Sequence, residues 1–329
     1  MKAIVCKEFA PVDQLSLETV ADPIPGEGDV LVDVICAGIN FPDLLIVQGK
    51  YQVQPPLPFT PGNEVAGVVA AVGEDVTAVQ VGDEVIAYVP AGAFAEKLLV
   101  KATSVFSKGK SLSFEQAAGL VLTYGTSYYA LKQRANLQPG ETVLVLGAAG
   151  GVGIATIQLA KAMGATVIAA ASTEEKLDFA CAAGADLRIN YSTEDLKKRT
   201  KELTKGKGAD VIYDPVGGDY AEQAFRAIAW DGRYLVIGFA SGPIPKMPLN
   251  LALLKGASLV GVFWGAWAAR YPQESQQNFA EIFEMIESDV FAPPVADVYP
   301  LEQFQDAFRC IAERRAKGKV ILAMRSSES

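Results

Sequence analysis

Apolar and polar positions alternate in two different rhythms along this chain, and the change of rhythm divides it. The most regular stretch runs Thr142-Val143-Leu144-Val145-Leu146, ends in Gly147-Ala148-Ala149-Gly150-Gly151-Val152-Gly153, and continues with Val152, Ala155, Leu159 and Met163 at helical spacing. An apolar run rich in β-branched residues, a small-residue turn and an apolar helical stripe predict a strand, a tight turn and a helix packed on a sheet. Thr166 to Ala171 predicts a second strand and Ser172 to Ala183 a second helix. Asp186 to Asn190, Ala209 to Asp214, Gly232 to Gly238 and Ala257 to Val262 are further short apolar runs, most separated by helical patterns. That alternation predicts right-handed crossovers and a doubly wound parallel sheet with helices on both faces, an α/β fold.

The first hundred residues differ. Short alternating strands such as Val30 to Val34 and Ala66 to Ala71 are broken by Pro23, Pro25, Gly26, Gly28, Gly62, Gly73 and Gly82. This texture predicts a small antiparallel or barrel-like domain. The stretch from Gln48 to Pro58 carries three prolines and predicts a long surface loop, a place where binding groups often sit. A mixed helical stretch from Phe114 to Leu131 links the two textures. Near the end, Phe279, Ile282, Phe283 and Ile286, then Phe304, Ala307, Phe308 and Ile311, give two amphipathic helices, and Lys319 to Leu322 closes as a strand.

The glycine turn carries the first chemistry. Glycines let a backbone approach a pyrophosphate, and a helix N-terminus offers free N–H groups and a positive dipole end. Ala148, Gly150 and Gly153 occupy the three fingerprint positions, with Gly151 and Val152 between them, so a dinucleotide is the expected ligand. An acidic residue ending the second strand would bond both ribose hydroxyls of NAD, but Ala171-Ser172-Thr173 stands there instead. Ser172 therefore leaves room for a 2′-phosphate, which Lys176 or Tyr191 could reach, and NADPH is the expected cofactor. Glu174 and Glu175 argue mildly against this, and Lys176 also fits a helix-face lysine in solvent. Phe239 and Phe263 follow later strands at their carboxyl ends, where they would either cover the nicotinamide or simply pack. Asp214-Pro215-Val216-Gly217 suits a shaped loop better than acid–base chemistry.

Composition then excludes several classes. The 329 residues suit two domains, and half of them are hydrophobic. A net charge of −9 without a basic run disfavours nucleic acid or an anionic membrane as partner. Gly256 to Ala269, the longest uncharged apolar stretch, is too short to span a bilayer. No charged-then-apolar leader opens the sequence, and the four cysteines are scattered singly, so a cytoplasmic location is expected. The chain has no histidine, which excludes Ser-His-Asp hydrolysis and every His-containing metal site.

Several separated segments resemble one family in its order: Gly38-Ile39-Asn40-Phe41-Pro42-Asp43, Gly62-Asn63-Glu64-Val65-Ala66-Gly67, Val81-Gly82-Asp83-Glu84-Val85, Gly147 to Gly153, Asp214-Pro215-Val216-Gly217-Gly218 and Lys317-Gly318-Lys319-Val320. They resemble the medium-chain dehydrogenases/reductases of the zinc-free quinone oxidoreductase, or zeta-crystallin-like, branch. The resemblance implies a GroES-like catalytic domain, 1–122 with 266–329, around a Rossmann cofactor domain, 123–265. It implies a homodimer. Zinc-dependent relatives carry Cys and His ligands that would fall at or near Asn40 and Asn63, and an amide oxygen is a poor zinc ligand, so no metal is expected. Glu64 is left as a lone carboxylate and reads as a buried structural acceptor.

Metal-free hydride transfer needs an acceptor that is already electrophilic, such as a quinone or an α,β-unsaturated carbonyl, with hydrogen bonds where negative charge develops. By resemblance Asn40 supplies that bond, or else it is a loop-capping amide. Tyr51 matches a tyrosine near the substrate of some enoyl reductases, as a proton donor or a lining aromatic. Thr126 matches a threonine beside the nicotinamide, or bonds its own backbone. The expected activity is an NADPH-dependent, zinc-independent quinone oxidoreductase. An enoyl-thioester or enone reductase is the nearest alternative, and a non-catalytic NADPH- or RNA-binding protein is the alternative of another class.

Overall fold

The computed structural model describes residues 1–324 and divides the chain into two compact units, Met1–Leu122 with the segment from Ala292 onward, and Thr123–Phe291. The fold is α/β. In the first unit an 11-residue strand, Asp29–Ile39, organises everything else. Along one edge it pairs antiparallel with Glu64–Val72. Along the other, its first half pairs with Lys97–Lys101 and its second half with Lys319–Ala323, both antiparallel. Val295–Pro300, Glu84–Tyr88 and Val105–Ser107 extend this sheet, which has seven strands. Ile4, Val30, Val32, Val34, Phe94, Phe308 and Leu322 fill its core. The region from Gln48 to Pro58 holds neither strand nor helix beyond the end of the short helix Phe41–Val47.

The register of these strands brings together residues far apart in sequence. Gly38 pairs with Glu64, and Ile39 pairs with Val320. Asn40, Glu64 and Lys319 therefore stand at the ends or starts of three neighbouring strands.

The second unit is built on six strands, all parallel, in the order Leu187–Asn190, Thr166–Ala171, Thr142–Leu146, Ala209–Asp214, Ile228–Val236, Ser258–Gly261. Counted from the first in sequence this order is 3-2-1-4-5-6, the doubly wound dinucleotide arrangement, whose direction reverses beside Thr142–Leu146. Helices Gly151–Ala162, Glu174–Ala182, Leu196–Leu203 and Asp219–Arg226 form the crossovers. The expected strand over Gly232–Gly238 starts earlier, at Ile228.

One boundary differs from the sequence expectation. The segment 266–291, assigned with the first domain, belongs to the second unit. Trp267 stacks on Tyr129 at 4.4 Å between ring centroids, Trp264 meets Phe279 edge-on, and Lys132 pairs with Glu281 at 2.6 Å. The aromatic stripe of helix Pro272–Glu287 is core, as its spacing predicts, but it is the core of the cofactor unit. Among the described residues no helix is long and apolar enough to cross a membrane.

Candidate active and cofactor sites

In the first unit Asn40 ends the long strand and precedes helix Phe41–Val47, where Pro42 suits the first turn. The Asp43 carboxylate, wholly buried, accepts the Asn40 backbone N–H at 2.7 Å, and the Asp43 N–H bonds the Asn40 carbonyl at 3.0 Å. The Asn40 side-chain amide is held on both sides. Its Nδ2 donates to Glu64 Oε1 at 2.8 Å, and its Oδ1 accepts from Lys319 Nζ at 2.5 Å. Lys319 also donates to Glu64 Oε1 at 2.5 Å, and the other Glu64 oxygen accepts the Leu122 N–H at 2.9 Å. Glu64 is buried as expected, but it is not a lone carboxylate: Lys319 neutralises it. Sequence reading missed Lys319, since a lysine at the start of a closing strand looks like a solvated strand end.

Burial pushes the Asp43 carboxyl up to about 7, partly offset by the Asn40 N–H and the Lys319 charge. Asp43 Oδ1 and Asn63 Oδ1 are buried and accept no hydrogen bond from the protein. Tyr51 is half-buried, and its phenol is raised by burial and then by the Asp43 charge. Tyr88 is raised by burial first, then by Glu64, Tyr51 and Asp43. The Asp43 charge thus acts on both phenols.

A zinc ion does not fit this cluster. Its would-be ligands are the amides of Asn40 and Asn63, and the Lys319 ammonium already occupies the space between Asn40 and Glu64. Among the described residues no three Cys, Asp or Glu side chains converge to hold a metal.

In the second unit the glycine turn lies at the carboxyl end of Thr142–Leu146. Gly147 adopts φ 58°, and Gly150 precedes the 12-residue helix Gly151–Ala162. A Cβ at Gly153 would meet the Gly147 carbonyl at 2.5 Å and that of Ala148 at 2.7 Å, so any side chain would spread the turn. The N–H groups of Gly151, Val152 and Gly153 open the helix, where a helix has no carbonyls to pair with them and a diphosphate fits. A network that sequence reading missed fixes this end. Ser127 Oγ and Thr156 Oγ1 bond the Val152 carbonyl at 3.1 and 2.7 Å, and Tyr213 bonds Ser127 at 3.0 Å. Thr126 is half-buried and precedes Ser127 on helix Val121–Tyr129.

Ser172 and Tyr191 stand at the ends of two neighbouring strands, and Lys176 follows in the helix after the first of them. The Tyr191 N–H bonds the Ala171 carbonyl at 3.1 Å, which sets Tyr191 beside Ser172, and Lys176 lies half-buried in the first turn of Glu174–Ala182. Tyr220, also missed, packs on Tyr191 at 4.3 Å between centroids. The objection raised by Glu174 weakens here, because Asn190 Nδ2 donates to its carboxylate at 2.7 Å and Arg188 lies 3.6 Å away.

Phe239 is half-buried and follows Ile228–Val236; a Cβ on Gly217 would meet its ring at 2.9 Å, so it packs over the Asp214–Gly217 loop. That loop is shaped by Asp214, whose Oδ1 accepts the N–H groups of Val216 and Gly217 at 2.7 and 2.8 Å while Oδ2 accepts the Tyr234 hydroxyl. Every oxygen of Asp214 is so engaged, which leaves it no acid–base work. Phe263 follows the neighbouring strand and is 52% exposed.

The chain matches two family models, the alcohol dehydrogenase GroES-like domain over residues 26–110 and the zinc-binding dehydrogenase domain over 151–285. It is 40% identical over 327 residues to quinone oxidoreductase-like protein 2 homolog of Nematostella vectensis, covering 98% of this chain and 88% of that one. It superposes on Escherichia coli quinone oxidoreductase complexed with NADPH with a TM-score of 0.90 and 31% identity, over 98% of this chain and all of that one. CurK enoyl reductase gives a TM-score of 0.89 and 28% identity, over 98% of this chain and 99% of that one. With both domains matched and the whole chain covered at this identity, the protein is an oxidoreductase that belongs to the quinone oxidoreductase family of the medium-chain dehydrogenases/reductases.

Proposed function

We propose that this enzyme reduces a quinone with NADPH and without a metal ion. The observation that carries the reading is the Asn40 amide, buried where metal-dependent relatives would place a ligand and held by a lysine and a glutamate instead. Bound NADPH supplies the hydride. The residues of the glycine turn, Ala148, Gly150, Gly151, Val152 and Gly153, hold its diphosphate; Ser172, Lys176 and Tyr191 hold the 2′-phosphate; Phe239 and Phe263 wall the nicotinamide, and Thr126 bonds its carboxamide. A fit of this cofactor is supported by the side-chain-free cradle at Gly153.

A quinone gains two electrons as hydride and then one proton, and negative charge develops on its oxygen as the hydride arrives. Asn40 Nδ2 carries two hydrogens, of which one serves Glu64 and the other meets the Gly38 carbonyl only at a long 3.4 Å. That second N–H is the donor for the developing oxyanion, a role in which one positioned hydrogen bond is worth roughly a hundredfold in rate. Tyr51 lines the acceptor or delivers the proton.

The likeness to an enoyl reductase favours a second reading, reduction of an enone or enoyl-thioester by the same residues. Steady-state NADPH oxidation with 1,4-benzoquinone against a short enoyl-CoA separates the two. Efficient turnover is expected with the quinone, with NADPH bound more tightly than NADH and activity surviving prolonged chelator treatment. Turnover of the thioester alone would overturn the quinone reading, and cofactor binding without any turnover would leave a non-catalytic NADPH-binding protein. Loss of activity with one zinc per chain would end the metal-free scheme.

A homodimer is also proposed. Ser258–Gly261 is the edge of the six-stranded sheet, and Leu249, Leu253, Leu254 and Trp230 near it are between 66% and 80% exposed. An uncovered edge strand flanked by large apolar side chains is a template for pairing. Light scattering is expected to give twice the chain mass of 34.9 kDa; a monomer at micromolar concentration would rule this out.

A further inference from the structure

Lys319 is built into the protein rather than placed on it. The residue is 7% exposed, and its side chain ends between Asn40 and Glu64, which are 6% and 0% exposed. The alkyl stem runs over two glycines. A Cβ at Gly119 would meet Lys319 Cγ at 2.4 Å, and one at Gly38 would meet Cε at 2.7 Å. Both glycines have negative φ, so neither serves a turn: Gly119 accommodates the lysine stem, and Gly38 accommodates the Ala118 carbonyl, 2.4 Å from such a Cβ, together with the end of the stem. Lysines ordinarily bury the stem and keep the ammonium in water; here the ammonium points inward.

The two charges give the Asn40 amide one orientation. An amide can present oxygen or nitrogen to either side, and the two are alike in shape. An ammonium only donates and an ionised carboxylate only accepts, so Lys319 fixes Oδ1 on its side and Glu64 fixes Nδ2 on the other. A cation 2.5 Å from the amide oxygen also draws electron density from the nitrogen, which strengthens the remaining N–H as a donor. Stability alone does not account for the arrangement. A buried ion pair recovers its desolvation cost only with good geometry, and well-packed apolar residues of similar volume usually serve the fold as well or better.

We propose that Lys319 is a positioning residue for the reduction, its ammonium orienting and polarising the Asn40 amide that receives the charge developing on the acceptor oxygen. The inference rests on the reading of Asn40 given above. Lys319 touches neither acceptor nor cofactor in this scheme and acts through Asn40 alone.

A structural role and a positioning role differ in what a charge-neutral replacement restores. Lys319→Met leaves Glu64 buried and unpaired, so a lower melting temperature and a lower kcat are both expected. Lys319→Met/Glu64→Gln removes both charges together. It is expected to regain most of the melting temperature while kcat with 1,4-benzoquinone stays at least tenfold below the parent enzyme and the KM for NADPH moves less than twofold. Recovery of kcat along with stability would show the lysine to be structural and overturn the inference.

The coupling to Asn40 is read from a cycle. If Lys319 acts through that amide, adding Asn40→Ala to Lys319→Met/Glu64→Gln lowers kcat no further than Asn40→Ala alone, whereas independent roles would multiply. Multiplied losses would overturn the inference. Asn40→Ala measured by itself separates the two levels. Full activity in that variant removes the reading of Asn40, while an impaired Asn40→Ala beside a fully active charge-neutral variant removes only the assignment of Lys319.

Discussion

Asn40→Ala will lower kcat with 1,4-benzoquinone about a hundredfold and change NADPH affinity less than threefold, since a lost oxyanion donor costs roughly 10² to 10³ in turnover. The split follows from when the bond matters. A neutral quinone carbonyl accepts a hydrogen bond weakly, and the same oxygen accepts it strongly once hydride has arrived, so removal raises the barrier more than it loosens binding. The fold is expected to survive the change. Alanine keeps the backbone N–H that Asp43 accepts and the carbonyl that bonds the Asp43 N–H, and Lys319 still meets Glu64 at 2.5 Å. A melting temperature within a few degrees of the parent, together with the kcat loss, separates chemistry from unfolding. If kcat is unchanged, the polar contact to the acceptor belongs to Tyr51 or to a backbone N–H.

The glycine turn and the parallel sheet were legible because their signals are local. Thr142 to Gly153 carries strand, turn and helix within a dozen residues, and the 3.6-residue and two-residue rhythms mark each crossover. The constellation around Asn40 is not local. Its partners Glu64 and Lys319 lie 24 and 279 residues away, and only the pairing of Gly38 with Glu64 and of Ile39 with Val320 brings them together. Register is a property of paired strands, and one sequence without its pairing leaves it open. The same reason hid the partners of Glu174. Asn190 stands opposite Ala171 in the sheet, at a strand end whose neighbours the chain order does not announce.

The misplaced segment 266–291 has a different cause. Periodicity says that Phe279, Ile282 and Ile286 are buried, and they are. It does not say against what. Trp264, Trp267 and Tyr129 decide that, and the stacking of Trp267 on Tyr129, 138 residues earlier, leaves no trace in spacing. Lys319 shows the opposite case. A lysine beside glycines at the start of a strand has an ordinary solvent-facing reading, and only the absence of a side chain at Gly119, far off in sequence, records the slot its stem fills.

Asp43→Asn will flatten the dependence of stability on pH. The Asp43 carboxyl is wholly buried, and burial raises it to about 7 against an ordinary value of 3.8. The groups acting on it are the Asn40 N–H, the Lys319 charge and the Asn63 side chain, which lower it, and Glu64, which raises it further. Between the two values the folded protein holds a proton that the unfolded chain has released. The protonated group's contribution is therefore fully present below about pH 4, is lost as pH rises towards 7, and does not return above it. Asparagine keeps an oxygen to accept the Asn40 N–H, carries no charge to desolvate, and brings a donor to a place where Asp43 Oδ1 and Asn63 Oδ1 accept none. The variant should gain about 1–3 kcal/mol on the parent at pH 8 relative to pH 4, the scale set by roughly 1.4 kcal/mol for each tenfold change in proton affinity and reduced for coupling within the cluster. Melting temperatures of both proteins across pH 4 to 8 test this, because the difference between them cancels groups that titrate alike in each. Parallel curves over that range would mean that Asp43 ionises in the fold as it does in the unfolded chain, so that burial does not hold its proton and the cluster carries the Asp43 charge throughout.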